Sequence, residues 1–329
     1  KWSTLALLRF ILASIVACGH LSEYTNPGAL TLVAMLGSFE AILGFLLISG
    51  YSIGESYAKN PEGFYLRRAK RIYPVYLASL ALALFAQPQP FTVPFVLYLL
   101  ANLFFLNQLV TTSSFVGPAW SLSLEVWLYA SAPLFKRLAP KTLWFLVAGS
   151  LLFYIVQTCG RALLHWRYGA ELGYGLNYPA LAFIWILGCI LAWHADKPRT
   201  LRIIGLVFAG HLLLGLAIQF VFRLKNHFLS AFPHDLLGFA FQAITLAVIW
   251  LLFRSILCRN QPATRKSSWM SFLGDISYPL YLVHKPLYTL LQRWHLTTNP
   301  YLMFASAFAL AAVAYLALDF YTQKRERKS

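Results

Sequence analysis

Three groups of residues in this chain could do chemistry together. The first is a pair, Arg9 and His20. Eleven residues of helix place them about 20° apart in azimuth and about 16 Å apart along the axis, on one face. An imidazole titrates near neutral pH and can take a proton from a hydroxyl. A guanidinium inside an apolar run needs a partner or a cavity. Read alone, Arg9 could simply pair with Glu40 or Glu125, and an isolated interfacial His is often inert. Cys18 points about 200° away from His20 on the same helix, so the two do not form a dyad. Glu23, three residues beyond His20, could orient the ring if the helix extends that far. The second group is Phe64-Tyr65-Leu66-Arg67-Arg68-Ala69-Lys70-Arg71. Arg68 and Arg71, at i and i+3, share a face, and guanidinium forks grip phosphate oxygens. By charge alone this is also an ordinary stop to a membrane segment. The third is Glu125 in Trp120-Ser121-Leu122-Ser123-Leu124-Glu125, a carboxylate inside an apolar run.

The elements that must carry these residues are membrane helices. Of 329 residues, 59% are hydrophobic and only 12% are charged, about half the ~25% of a soluble domain, and mean hydropathy is +0.62. This excludes a disordered chain and an ordinary soluble enzyme. Eleven apolar segments run over 2–19, 28–53, 72–86, 91–110, 120–135, 143–159, 179–194, 203–222, 236–253, 276–294 and 301–320, with no internal repeat. One integral all-α membrane domain over 1–329 is expected.

The 27 Lys and Arg exceed the 11 Asp and Glu by 16. In a soluble protein this would suggest nucleic acid. Here 20 of the 27 fall in 54–71, 136–141, 195–202, 254–266, the tail 321–329 and Lys1. All these stretches lie on one side of a membrane if both termini are cytoplasmic, so no nucleic-acid partner is expected. That topology needs an even number of crossings. The segment 91–110, with Pro90, Pro94, Asn102, Asn107 and Gln108, is therefore expected to be re-entrant or interfacial, leaving about ten transmembrane helices around a central polar channel, with 321–329 as a basic cytoplasmic tail. Cys18, Cys159, Cys189 and Cys258 show no metal or disulfide spacing, and no metal site is expected. Ile15-Val16-Ala17-Cys18 resembles a lipoprotein cleavage box, but Arg9 interrupts the apolar stretch such a signal needs.

Five stretches in order resemble the membrane acyltransferase-3 family: Arg9 with His20; Gly44-Phe45-Leu46-Leu47-Ile48-Ser49-Gly50-Tyr51; Phe64 to Pro74; Trp120 to Glu125; and Leu273-Gly274-Asp275-Ile276-Ser277-Tyr278-Pro279-Leu280-Tyr281-Leu282-Val283-His284. The resemblance implies transfer of an acyl group, usually acetyl, from acyl-CoA to a carbohydrate or glycolipid hydroxyl at the outer face of the bacterial cytoplasmic membrane. It implies a catalytic role for His20 and Arg9 and donor entry at Arg68 and Arg71. The reading built on it adds Arg67 to the donor's phosphates, Glu125 as an orienting partner of His20, and Trp120, Ser121, Ser123, Tyr278 and His284 at the substrate. Acetyl-CoA is then the donor substrate, with no metal. The family's acid near the last helix end is often Glu; here it is Asp319. No fused extracytoplasmic domain is expected. The competing classes are a transporter or flippase, with Arg9, Glu40 and Glu125 along its path, and an inactive sensor of the same fold.

Overall fold

A computed structural model describes residues 2–111, 114–164, 166, 175–258 and 268–319, and all the regular structure in them is helical. The helices are α1 (Trp2–Leu21), α2 (Thr31–Ala34), α3 (Ser38–Lys59), α4 (Phe64–Ala86), α5 (Val93–Leu103), α6 (Ala119–Arg137), α7 (Pro140–Leu164), α8 (Asn177–Trp193), α9 (Lys197–Lys225), α10 (Phe232–Cys258), α11 (Ser268–Arg293) and α12 (Pro300–Ala314). Seven of these stretches (α1, α3, α4, α7, α9, α10 and α12) are long and apolar enough to cross a membrane by length and composition. The chain is an all-α multi-pass membrane protein. α6 and α11 miss that set although they have 19 and 26 residues; they carry charged side chains, among them Glu125, Lys136 and Arg137 on α6 and Asp275, Lys285 and Arg293 on α11.

The helix within the segment 91–110 is too short to cross. This helix, α5, has 11 residues, about 16 Å of rise against a hydrocarbon core of about 30 Å. Thr92 caps it by accepting from the Phe95 backbone N–H, with Pro94 in the first turn. Beyond it the chain turns back onto α6, where the Phe105 carbonyl accepts from Ser123 Oγ and from Trp127 Nε1.

α8 is the column of the bundle: 13 of its 17 residues are buried. It sits against α3 at a crossing that only glycine permits. A Cβ at Gly50 would lie 2.0 Å from the Trp185 carbonyl oxygen, and one at Gly188 would lie 2.4 Å from the Leu47 carbonyl oxygen. Small residues let helix backbones meet where water supplies no driving force between them. Cys189 sits at the same crossing, its Sγ 3.3 Å from the Gly50 carbonyl. Cys18 is also buried, inside an α1 that runs unbroken through the stretch resembling a cleavage box, and Cys18, Cys159 and Cys189 are free thiols. α9 and α10 stand at the rim and expose Leu206, Leu213, Leu237, Ile244 and Leu251. Bidentate pairing of Arg223 with Asp235 ties them together, at 2.7 and 2.9 Å. The tail 321–329, the side chain of Asp319 and that of Cys258 lie outside the described residues.

Candidate active site

α1, α3, α4, α6 and α11 surround a cavity of about 110 Å³. Its charged lining is Arg9 from α1, Arg68 and Arg71 from α4, and Glu125 from α6; Ser49 and Ser52, Ser121 and Tyr129, and Ser277, Tyr278 and Tyr281 supply hydroxyls. Arg9 Nη2 donates to Ser52 Oγ at 2.6 Å, and Arg68 Nη2 donates to Ser56 Oγ at 2.7 Å. The Arg68 guanidinium also lies 5.7 Å over the Phe64 ring, a cation–π contact that orients it. Glu125 accepts a short hydrogen bond from Tyr129, one turn along α6, and the Tyr129 hydroxyl accepts from Ser49. Three guanidinium groups therefore line the cavity with one carboxylate. Away from water such an excess of positive charge favours an anion, phosphate above all.

The histidine end is built differently. His20 occupies the last turn of α1. Its Nδ1 lies 3.0 Å from Nε2 of His284, and the two rings stack with centroids 5.1 Å apart. His284 is fully buried; its Nδ1 is 2.9 Å from the Leu280 carbonyl. Glu23, in the turn after α1, has Oε1 3.8 Å from His20 Nε2, beyond hydrogen-bond reach. Its other oxygen is held by Lys285 Nζ at 2.7 Å. α1 and α11 come this close because Gly274 faces Ala6: a Cβ there would lie 2.2 Å from the Ala6 Cβ. Tyr281 connects the two ends. It lines the cavity, bonds Ser121 Oγ at 2.6 Å, packs edge-on against Phe45, and lies against the His284 ring.

The structure thus brings together Arg9, Arg68, Arg71, Ser121, Glu125 and Tyr278, and separately His20 and His284. Glu125, expected as a partner of His20, is bonded to Tyr129, and the ring stacked on His20 is His284. Arg67 is turned onto the carbonyls of Asn60 and Glu62 and is absent from the cavity lining. Ser123 is bonded to the Phe105 carbonyl on another face of α6, and Trp120 is buried in the first turn of that helix. Glu40 does not join Arg9 and Glu125 along a path; it accepts from His211 Nε2 at 3.1 Å. No group of three metal-ligating side chains occurs among the described residues. Sequence reasoning missed Tyr129 and Tyr281. Both were within reach: Tyr129 is i+4 from Glu125, and Tyr281 is i+3 from Tyr278 and i−3 from His284, the spacing of one helix face.

No solved structure matches the chain. It is 26% identical over 287 residues to a protein of Acidianus two-tailed virus named "Putative acetyltransferase ORF330", covering 86% of this chain and 77% of the viral protein. Residues 2–319 match the family model described as the acyltransferase domain. With that match extending over nearly every described residue, the chain belongs to the acyltransferase-3 family.

Proposed function

We propose that the protein is a membrane O-acyltransferase that moves an acetyl group from acetyl-CoA in the cytoplasm to a hydroxyl of a carbohydrate or glycolipid at the outer face. The observation that carries this reading is the cavity with three arginines and one glutamate beside the middle of α1, joined through Tyr281 to a paired histidine at the end of that helix. The basic loops put Arg68 and Arg71 on the cytoplasmic side. These two hold the donor's phosphates there, and its pantetheine arm runs past Arg9 towards Tyr281. Both termini are then cytoplasmic.

In the reaction, His20 takes the acceptor's hydroxyl proton as its oxygen bonds to the thioester carbonyl carbon. The carbon–sulfur bond breaks, and the departing CoA sulfur receives the proton from the His20 imidazolium. The carbohydrate leaves as an ester and CoA as a thiol. Arg9 and Glu125 set the polarity of the channel between the phosphates and this step; the excess positive charge offsets the donor's own negative charge. The transporter reading is weaker because Glu40 is engaged with His211 instead of the cavity.

The test is to incubate the purified protein with [¹⁴C-acetyl]CoA and a panel of glycans and glycolipids, with a His20→Ala variant alongside. Label should pass to a hydroxyl of at least one acceptor with the wild-type protein and not with the variant. Label that never leaves CoA across the panel, or transfer that survives His20→Ala, contradicts the reading.

A further inference from the structure

His284 lies too deep to touch a substrate, yet its position decides what His20 can do. A carbonyl oxygen can only accept a hydrogen bond. The 2.9 Å contact from His284 Nδ1 to the Leu280 carbonyl therefore puts a proton on Nδ1. In a neutral ring this leaves Nε2 with a lone pair. That lone pair faces His20 Nδ1 at 3.0 Å, so His20 Nδ1 must be the donor; the Val16 carbonyl, one turn back on α1, is a second acceptor beside the same ring. His20 Nε2 is then the basic nitrogen.

A second contact keeps that nitrogen available. Glu23 is the carboxylate closest to it in sequence, but Lys285 pulls the carboxylate away: one oxygen is 2.7 Å from Lys285 Nζ and the other is 3.8 Å from His20 Nε2. Lys285 follows His284 directly, so α11 supplies both the acceptor for Nδ1 and the cation that occupies Glu23. The His20 side chain retains 24% exposure, whereas His284 has none. One ring is closed and the other is open at a single edge.

We infer that His284 is a positioning residue that fixes His20 in the tautomer with Nε2 basic, while the Lys285–Glu23 pair leaves that nitrogen free for the acceptor hydroxyl. The inference rests on the proposed acyl transfer for its consequence, but the tautomer is a property of the resting protein. A base whose proton sits on the wrong nitrogen loses most of its value: in serine proteases, removing the residue that holds the tautomer costs about 10⁴ in kcat. The charged and titratable groups around the pair are Glu23, Lys285, Tyr281 and Tyr288.

The direct test is ¹⁵N solid-state NMR of the full chain, labelled at histidine, in phosphatidylcholine vesicles, with His20→Gln used to assign the His20 signals. The expected result is a protonated Nδ1 and an unprotonated Nε2 at His20, with that preference lost in His284→Leu. A protonated Nε2 at His20 in the wild-type protein, or an unchanged tautomer in His284→Leu, overturns the inference. If His284→Leu does not fold, His284→Gln and His284→Asn decide. The Gln amide reaches the place of Nε2 and can accept from His20; the Asn amide stops at the place of Nδ1. The Gln variant should keep the wild-type tautomer and the Asn variant should not; equal behaviour of the two contradicts the inference. Because these readings need no acceptor, they can fail while acetyl transfer stands, and the reverse.

Discussion

Two partly buried histidines in this bundle have opposite fates. His211 on α9 has both nitrogens committed: Nδ1 lies 2.8 Å from the Tyr154 hydroxyl on α7, and Nε2 donates to Glu40 on α3 at 3.1 Å. It joins three helices and has nothing left to offer a substrate. His20 is held by His284 at Nδ1, with the Val16 carbonyl beside the ring, and its Nε2 is turned outward with its nearest carboxylate held by Lys285. Residue type and membrane setting are the same. The difference is the count of hydrogen-bond partners, and it separates a staple from a ring with a nitrogen left to act as the proposed base.

The largest expected effect is on turnover. His20→Ala should lower acetyl transfer by about 10²–10⁴, the usual contribution of a general base, with unchanged thermal stability in detergent. A matching loss of stability would make His20 a second staple and break the comparison. Next comes donor binding. Arg68→Ala combined with Arg71→Ala should weaken acetyl-CoA binding by about tenfold or more, since each charged hydrogen bond contributes about 1.5–3 kcal/mol. Titration calorimetry should find the loss larger at low salt, because ions screen phosphate pairing near the membrane surface. Unchanged affinity at low ionic strength would return these arginines to a purely topological role.

The smaller effects fall on the staple. His211→Phe leaves the Glu40 carboxylate without its donor and should destabilise the protein by about 1–3 kcal/mol. The midpoint of thermal unfolding should fall while turnover per folded molecule stays at the wild-type level; a selective loss of turnover would give this cluster a part in the reaction. Tyr154→Phe removes a single neutral hydrogen bond and should cost about 0.5–1.5 kcal/mol by the same measurement.

Much of the candidate site was legible in the sequence because it is written in helix periodicity. Arg9 and His20 share a face of α1 by arithmetic, as do Arg68 and Arg71 on α4; Arg9, Arg68 and Arg71 line one cavity, while His20 meets His284 beyond it. The same arithmetic separates Arg67 from Arg68 by about 100°, which is why Arg67 ends on the 60–62 loop. The short segment 91–110 was legible through its prolines and amides. What could not be read was pairing between distant helices. His20 and His284 are 264 positions apart, and their contact depends on Gly274 letting α11 close onto Ala6. His211 carried no local signal at all: nothing in α9 announces that Glu40 and Tyr154 will meet it. The partner of Glu125, by contrast, was legible: Tyr129 lies one turn along the same helix.

On the proposed reading the donor's phosphates sit beside Arg68 and Arg71 and the acceptor is used at His20, about 16 Å along α1 from Arg9. This separation is tested most directly in sealed vesicles holding the full chain in a single orientation. Labelled acetyl-CoA is supplied on one side, and the acceptor identified from the glycan panel on the other. Transfer should occur when acetyl-CoA is on the side of residues 54–71 and the acceptor on the side of His20, and should stop when the two are exchanged. Transfer with both substrates confined to one side would contradict the account.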